Sequence, residues 1–468
     1  MVSIAEGLSA VLRRAAHYSQ SNSISEMGTI NLTNRGAKTW ILGGGMTGLA
    51  AGMASGCPVF EACETPGGIC SSYYVTPKGQ KRETSPEDGE AYRFEIGGGH
   101  WIFGGDPAIL RLIRSLTPMK EYSRSSAVFF PEDNAYVPYP LQNNLSHMPE
   151  DIRLKALTEM LTSPKGQPRT MSDWINQSFG ATLTEKFFGP FHRLYTAGLW
   201  ERIMPQDGYK SPIDAAMVLR GASGKTTPAV GYNTGYLYPQ EGLGVLAQKL
   251  ATKTKIEYCK RASRIHLDKK EVEFSDGSGM HYDSVVVTLP LDKTLEMAGV
   301  QLDERPDPYS SVLVLNIGAK RGPRCPDEHW LYLPDTKAGF HRVGFYSNVD
   351  PSFLPASSRA SGDRVSIYIE RAFAAGKKPS NEQITAYIAA TVAELKEWGF
   401  VGEVEVADPT WVDVAYTWSW PGSRWRNKAL QFLEKRDVLM VGRYGRWIFQ
   451  GIADSLRDGL FVGAALRS

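Results

Sequence analysis

The segment from Lys38 to Gly68 constrains this chain more than any other stretch. An apolar run, Thr39-Trp40-Ile41-Leu42, passes at once into Gly43-Gly44-Gly45-Met46-Thr47-Gly48, the GxGxxG spacing of a strand that turns into a helix. Each glycine of the motif has its own task. Gly43 allows the tight turn, Gly45 leaves bare backbone against which a pyrophosphate can lie at the helix N-terminus, and Gly48 lets helix and strand pack closely. Past a short helix ending near Ser55-Gly56, Pro58-Val59-Phe60-Glu61 reads as a second strand with an acid at its end, eighteen residues beyond Gly43. A carboxylate in that place accepts hydrogen bonds from the ribose hydroxyls of an adenine dinucleotide. A second glycine pair, Gly67-Gly68, follows the acid closely.

This combination resembles the FAD proteins of the amine-oxidase and glutathione-reductase-like superfamily, in which the extra glycines approach the flavin diphosphate. The resemblance implies FAD as cofactor, bound by Gly43, Gly45, Met46, Thr47, Gly48, Glu61, Gly67 and Gly68. The length of 468 residues allows two or three domains with a sizeable core. A net charge of +2, from 52 basic and 50 acidic residues, gives no sign of a nucleic-acid surface. No run approaches the roughly 18 to 20 apolar residues of a membrane span, and no signal-peptide segment opens the chain, so the expectation is a soluble cytoplasmic enzyme with no membrane contact. Cys57, Cys63, Cys70, Cys259 and Cys325 form no CxxC and read as reduced core or loop residues. The histidines lack metal-ligand spacing, and no metal is expected.

Residues 1–37 precede the nucleotide fold. Ile4, Leu8, Val11, Leu12 and Ala15 make a helix-like face followed by a polar linker, consistent with either an appended helix or a mobile tail. Tyr73 to Arg93 reads as a hairpin or surface loop. The next string, Phe94-Glu95-Ile96-Gly97-Gly98-Gly99-His100-Trp101-Ile102-Phe103, could by itself be a tight turn with a packed histidine. It is also similar to the GGHxIF loop that passes beside the isoalloxazine in UDP-galactopyranose mutases. That likeness implies that Gly98, Gly99 and His100 lie by the flavin.

The likeness to the mutases continues along the chain. Tyr136 to Asn144 resembles their VPYPxQNN segment, and Met171-Ser172-Asp173-Trp174-Ile175 resembles the helix start that carries a substrate-contacting aromatic. Ile152 to Leu161 and Leu183 to Phe191 have helical apolar spacing. Val285 to Pro290 reads as a buried parallel strand. Trp330 to Pro334, Phe340-His341-Arg342 and Phe345 to Asn348 resemble the segment that brings a tyrosine and an arginine to the sugar diphosphate; guanidinium suits phosphate oxygens because its donors form a planar fork. Asp437 to Gly445 resembles the family's GRxG element, which implies that Gly442 and Arg443 lie near flavin and phosphates. Ile452 to Ala465, with Asp454, would be the helix facing the pyrimidine edge of the flavin.

The fold class expected is therefore α/β: a discontinuous Rossmann-like FAD-binding domain with a helical insert and a mixed β-sheet substrate domain. Its segments are an N-terminal extension at 1–37, flavin parts at 38–125, 225–300 and 421–468, a helical substrate domain at 126–224 and a mixed sheet at 301–420. The activity implied is ring isomerisation of UDP-galactose or a related nucleotide sugar. In the mutases reduced flavin forms a covalent adduct with the sugar, which reopens and recloses as the furanose. NAD(P)H is the kind of external reductant that would be needed. On this resemblance His100, Arg342 and Arg443 are the catalytic group, and Tyr139, Gln142, Trp174, Tyr332, Asn348, Trp420 and Phe449 join Arg342 around the small-molecule substrate.

Three positions depart from the family pattern. Phe188-Gly189-Pro190-Phe191 stands where the mutases carry an arginine before proline, with Arg193 one turn on as a candidate replacement. Trp420-Pro421 and Phe449 stand where they carry tyrosines. Each missing charge-assisted hydrogen bond is worth roughly 1.5 to 3 kcal/mol, so the substrate need not be UDP-galactopyranose. The alternative is an FAD-dependent oxidoreductase of the amine-oxidase or protoporphyrinogen-oxidase type, with Trp418, Trp420 and Trp447 as an aromatic cage.

Overall fold

The computed structural model describes residues 38–163, 166–206, 213–231 and 234–467. The N-terminal extension and its helical face lie outside the described residues. The two β-rich segments around the glycine motif, Thr39–Leu42 and Val59–Phe60, are the centre of a five-stranded parallel sheet. Its order is Ile256–Glu257, Val59–Phe60, Thr39–Leu42, Ser284–Val287, Val438–Met440. All three flavin segments read from the sequence contribute strands to it. Val285, Val286 and Val287 are fully buried, as a strand covered on both faces must be.

Two helices at opposite ends of the chain close one face of this sheet. Met46–Ser55 follows the glycine turn, and Ile452–Arg467 packs on it through glycines. A Cβ at Gly459 would stand 2.1 Å from the Thr47 carbonyl, and one at Gly463 would stand 2.4 Å from that of Ala51. Hydrogen in place of a side chain is what lets the two backbones meet.

The second large element is a seven-stranded sheet in the order Val401–Thr417, Tyr309–Arg321, Arg364–Ala374, Arg342–Phe345, Trp330–Tyr332, Ser126–Phe130, Ala135–Pro138. Every pairing is antiparallel except that of Trp330–Tyr332 with Ser126–Phe130. The segment expected to be helical from residue 126 thus opens with two strands of this sheet. Phe129 and Tyr136 stack across them at 4.6 Å, and such short apolar strands show too little period to separate from helix in the sequence.

Helices then follow at Glu150–Thr162, Met171–Leu183, Gly189–Tyr195 and Ala215–Ala222. Thr170 and Asp173 form a capping box that starts the helix bearing Trp174. That helix runs into a π-helical turn, Thr184–Phe188, before Gly189–Tyr195. Residues 72–95 form a small antiparallel sheet of Ser72–Val75, Lys81–Arg82 and Tyr92–Glu95. Between it and the next strand, Ile102–Phe103, lies the loop carrying His100. Trp101, wedged among Tyr236, Tyr238, Tyr346 and Phe353, anchors that loop.

Candidate active site

The glycine turn opens onto a cavity of about 690 Å³ that runs from the parallel sheet to the helical region. Gly43 has a φ of 102°, which only glycine adopts without strain. A Cβ at Gly48 would sit 1.9 Å from the Gly43 carbonyl oxygen, so that glycine serves the packing of helix on turn. Gly45 differs from both. Its φ is −73°, and a Cβ there would meet nothing closer than the Gly67 carbonyl at 4.0 Å. The protein's own packing does not require glycine at this point, whereas a diphosphate lying over the helix N-terminus would. The Gly67 N–H donates to the Gly44 carbonyl at 2.8 Å and ties the second glycine pair to the first.

Glu61 lies at the edge of this cradle. One carboxylate oxygen accepts from the Gly44 N–H at 2.6 Å and the other from the Cys63 N–H at 2.9 Å. These bonds fix the carboxylate and leave each oxygen a further lone pair. Together, the open cradle, the helix N-terminus and the held carboxylate fit an adenine dinucleotide.

The opposite wall is built by strand register. Tyr332 pairs with Arg342, and Arg342 with Glu370, directly across neighbouring strands. Side chains directly opposite share a face of the sheet, so a phenol, a guanidinium and a carboxylate form one row. Arg342 Nη1 donates to Glu370 Oε1 at 3.2 Å and the Tyr416 hydroxyl to Oε2 at 3.1 Å. His341 Nε2 stands 3.6 Å from Oε2, beyond hydrogen-bond reach. Burial pushes the Glu370 carboxyl up, but the Arg342 charge beside it outweighs this and holds the group at about 2. Arg342 Nε has no partner among the described residues.

Between cradle and row lies His100, its ring packed over Gly97 and its Nδ1 without a partner among the described residues. Burial, reinforced by the Arg443 charge, pushes its imidazole down to about 4, so it is neutral at pH 7. Arg443 donates to the carbonyls of Gln450 and Ala415 at 3.2 Å each and lies 4.7 Å from the Phe449 ring.

Of the residues read from the sequence, Gly43, Gly45, Met46, Thr47, Glu61, Gly67, Gly68, Gly99, His100, Tyr139, Trp174, Tyr332, Arg342, Arg443 and Phe449 line the cavity. Gly48, Gly98 and Gly442 lie behind its wall; a Cβ at Gly442 would strike Thr47 Oγ1 at 2.4 Å. Asp454 faces sideways, paired with Arg457 at 3.3 Å, while its neighbours Ile452 and Ser455 reach the cavity.

Three of the residues expected around the substrate stand elsewhere. Gln142 is fully buried behind the wall. The Asn348 side chain is taken up by Arg321 and by the carbonyls of Pro326 and Glu328. Trp420 is covered by Arg305 at 3.7 Å and donates to the Pro306 carbonyl. Of the three tryptophans read as a cage, only Trp418 lines the cavity, since Trp447 packs against Trp425 in the core. Arg193 is exposed and does not line the cavity, so it does not replace the missing arginine.

Glu370, His192, Tyr195 and Tyr416 line the cavity although the sequence reading did not name them. Glu370 could have been found only from register, because 28 positions separate it from Arg342. The π-helical turn, which has no sequence signature, brings Phe187, Phe188, Phe191 and His192 to the same wall.

The parallel sheet, the glycine cradle and the fixed acid define a dinucleotide-binding flavoenzyme. The family described as flavin containing amine oxidoreductase matches residues 49–312, and the chain belongs to that family, with FAD as its cofactor. Among solved structures, the fold is similar to that of reduced UDP-galactopyranose mutase, with 22% identity over 91% of this chain and 94% of the other and a TM-score of 0.76. It is also similar to a CLA-producing fatty acid isomerase from P. acnes, at 15% identity over 94% and 98% of the two chains and a TM-score of 0.54. Putrescine oxidase bound to putrescine is a third, at 15% identity over 92% and 98% with a TM-score of 0.53. At these identities the likeness is one of fold. Among the described residues no helix is long and apolar enough to cross a membrane.

Proposed function

We propose that this flavoenzyme is a sugar-ring mutase acting on a nucleotide sugar. The observation that carries this reading is the convergence of Tyr332, Arg342 and Arg443 with Tyr139 and Trp174 on the one cavity that holds the glycine cradle. Gly45 and the N-terminus of helix Met46–Ser55 would hold the FAD diphosphate, and Glu61 its ribose. FAD held there, and kept reduced by a donor such as NAD(P)H, would supply nucleophilic chemistry toward an anomeric carbon.

The protein's own side chains do the rest. Arg342, with one donor taken by Glu370 and Nε unpartnered, offers its guanidinium to a leaving phosphate. Arg443 adds a second positive charge from the flavin side. His100, neutral and lining the same cavity, would stand by the cofactor without adding a charge to the site, and the aromatic walls would exclude water.

A second reading, oxidation of a small molecule, is favoured by the ring formed by Tyr195, Tyr416 and Trp418, whose centroids lie 4.8 and 5.4 Å from Tyr195. Among the described residues none that lines the cavity is a lysine, whereas amine oxidases commonly place one near the flavin. The mutase reading leads because Tyr332, Arg342 and Glu370 stand in one row on the cavity wall, with Arg443 on the same cavity.

The test is to reduce the purified protein with dithionite without oxygen and incubate it with UDP-galactopyranose and a panel of other nucleotide sugars, separating products by chromatography. Furanose formed only by reduced enzyme is the expected result. No isomer from any sugar, together with flavin reduction by an amine, would transfer the protein to the oxidoreductases.

A further inference from the structure

On the wall where the resemblance would place an arginine, a histidine stands two residues past the glycine-proline pair. The π-helical turn Thr184–Phe188 aims the Phe188 carbonyl at the His192 ring, with Nδ1 2.6 Å from the oxygen. A carbonyl oxygen can only accept, so Nδ1 carries the proton. In a neutral imidazole the other nitrogen, Nε2, is then a bare acceptor. Burial keeps the ring neutral; against the opposing pull of the Phe188 carbonyl it pushes the imidazole down to about 4. His192 lines the cavity, and no described residue bonds to Nε2.

An acceptor held this way selects its partner. A phosphate or carboxylate oxygen, itself an acceptor, has no proton to offer. A cation would enter an apolar wall of Phe187, Phe188 and Phe191 whose carboxylate, Glu370, is already engaged by Arg342 and Tyr416. Burying an uncompensated charge there is costly, whereas a hydroxyl brings a donor without a charge.

We infer that His192 Nε2 accepts a hydrogen bond from one hydroxyl of the substrate's sugar ring and makes the site discriminate that ring from its deoxy counterpart. The inference rests on the sugar-ring reading and assigns a specificity-determining residue to it. A site built to bond a hydroxyl rejects an analogue lacking it, because the buried acceptor is left unpaired.

The experiment uses the FAD-loaded protein with isotope-labelled histidine, UDP-galactopyranose, UDP-glucose and the monodeoxy analogue series of each. Calorimetric affinities are measured for wild type, His192→Phe and His192→Gln, with flavin absorbance reporting the folded holoenzyme. One deoxy analogue should bind the wild type at least about tenfold more weakly than its parent, a difference of about 1.4 kcal/mol. His192→Phe should bind parent and analogue alike, and His192→Gln, which keeps an acceptor oxygen, should retain part of the preference.

The wild-type Nε2 resonance should shift with the parent sugar and not with that analogue, a readout that stands even if His192→Phe does not fold. An unmoved Nε2 resonance, or an undiminished preference in His192→Phe, would overturn the inference while leaving the mutase reading intact. Failure of every nucleotide sugar to bind the wild type would overturn both. A shift of Nε2 by putrescine alone would replace the hydroxyl with an amine.

Discussion

Arg342 and Glu370 depend on each other, and both the stability and the binding predictions at the residue scale follow from that. Arg342→Ala removes the cation from a carboxylate that is 3% exposed, which should destabilise the fold by about 3 to 5 kcal/mol and weaken nucleotide-sugar binding at least about tenfold. Replacing both residues with apolar ones of similar volume should restore much of the stability and none of the binding, measured by urea unfolding and calorimetry.

Two pH dependences follow with opposite protonation chemistry. Glu370 titrates near 2 in the fold against an ordinary 4.5. The unfolded chain therefore binds the extra proton between those values, and stability falls with acid by about 1.4 kcal/mol per pH unit, a slope that Glu370→Gln should remove. His100 and His192 are held near 4 against an ordinary 6.5. They should show no NMR titration between pH 5 and 8, and charging them costs stability as pH falls from 6.5 toward 4. Arg342 was legible in the sequence because a resemblance marked its segment, but nothing there named Glu370 or the His192 tautomer, which register and a π-helical turn create.

At the scale of elements, the glycines separate those that serve packing from those that serve a ligand. Gly463→Ala would drive a methyl group into the Ala51 carbonyl, 2.4 Å away. Forcing the two helices apart should cost about 1 to 3 kcal/mol and loosen FAD, seen as a lower melting temperature and flavin lost on gel filtration. Gly45→Ala should leave the melting temperature of the apoprotein nearly unchanged and lower FAD affinity, because only a diphosphate in the cradle would meet its Cβ. The strands and helices that flank the glycine motif were legible because turn chemistry and burial on both faces agree there. Ser126–Phe130 and Ala135–Pro138 were not, because strands this short belong to the sheet only through partners far along the chain.

For the whole molecule, the parallel sheet beside the cradle unites strands from residues 39 to 440, so cofactor binding is linked to folding. FAD at about one hundred times its dissociation constant should stabilise the fold by about 2.7 kcal/mol, raising the melting temperature in a concentration-dependent way. The strands of this sheet at 39–42, 59–60, 284–287 and 438–440 were legible because each carries a turn motif or a buried apolar run, whereas the aromatic filling of the cavity depends on how the helical region meets the larger sheet.

The position of Val438–Met440 at the end of the sheet order also governs how the protein is made. On the ribosome, Ser284–Val287 can pair with Thr39–Leu42 as soon as it emerges, but its other edge has no neighbour until about 150 residues later, roughly 10 to 30 s at ordinary synthesis rates. Through that interval the nascent chain carries a valine-rich edge open to foreign strands. Synonymous codons that hasten translation of residues 290–440, or a chaperone that shields strand edges, should each raise the yield of flavin-loaded protein.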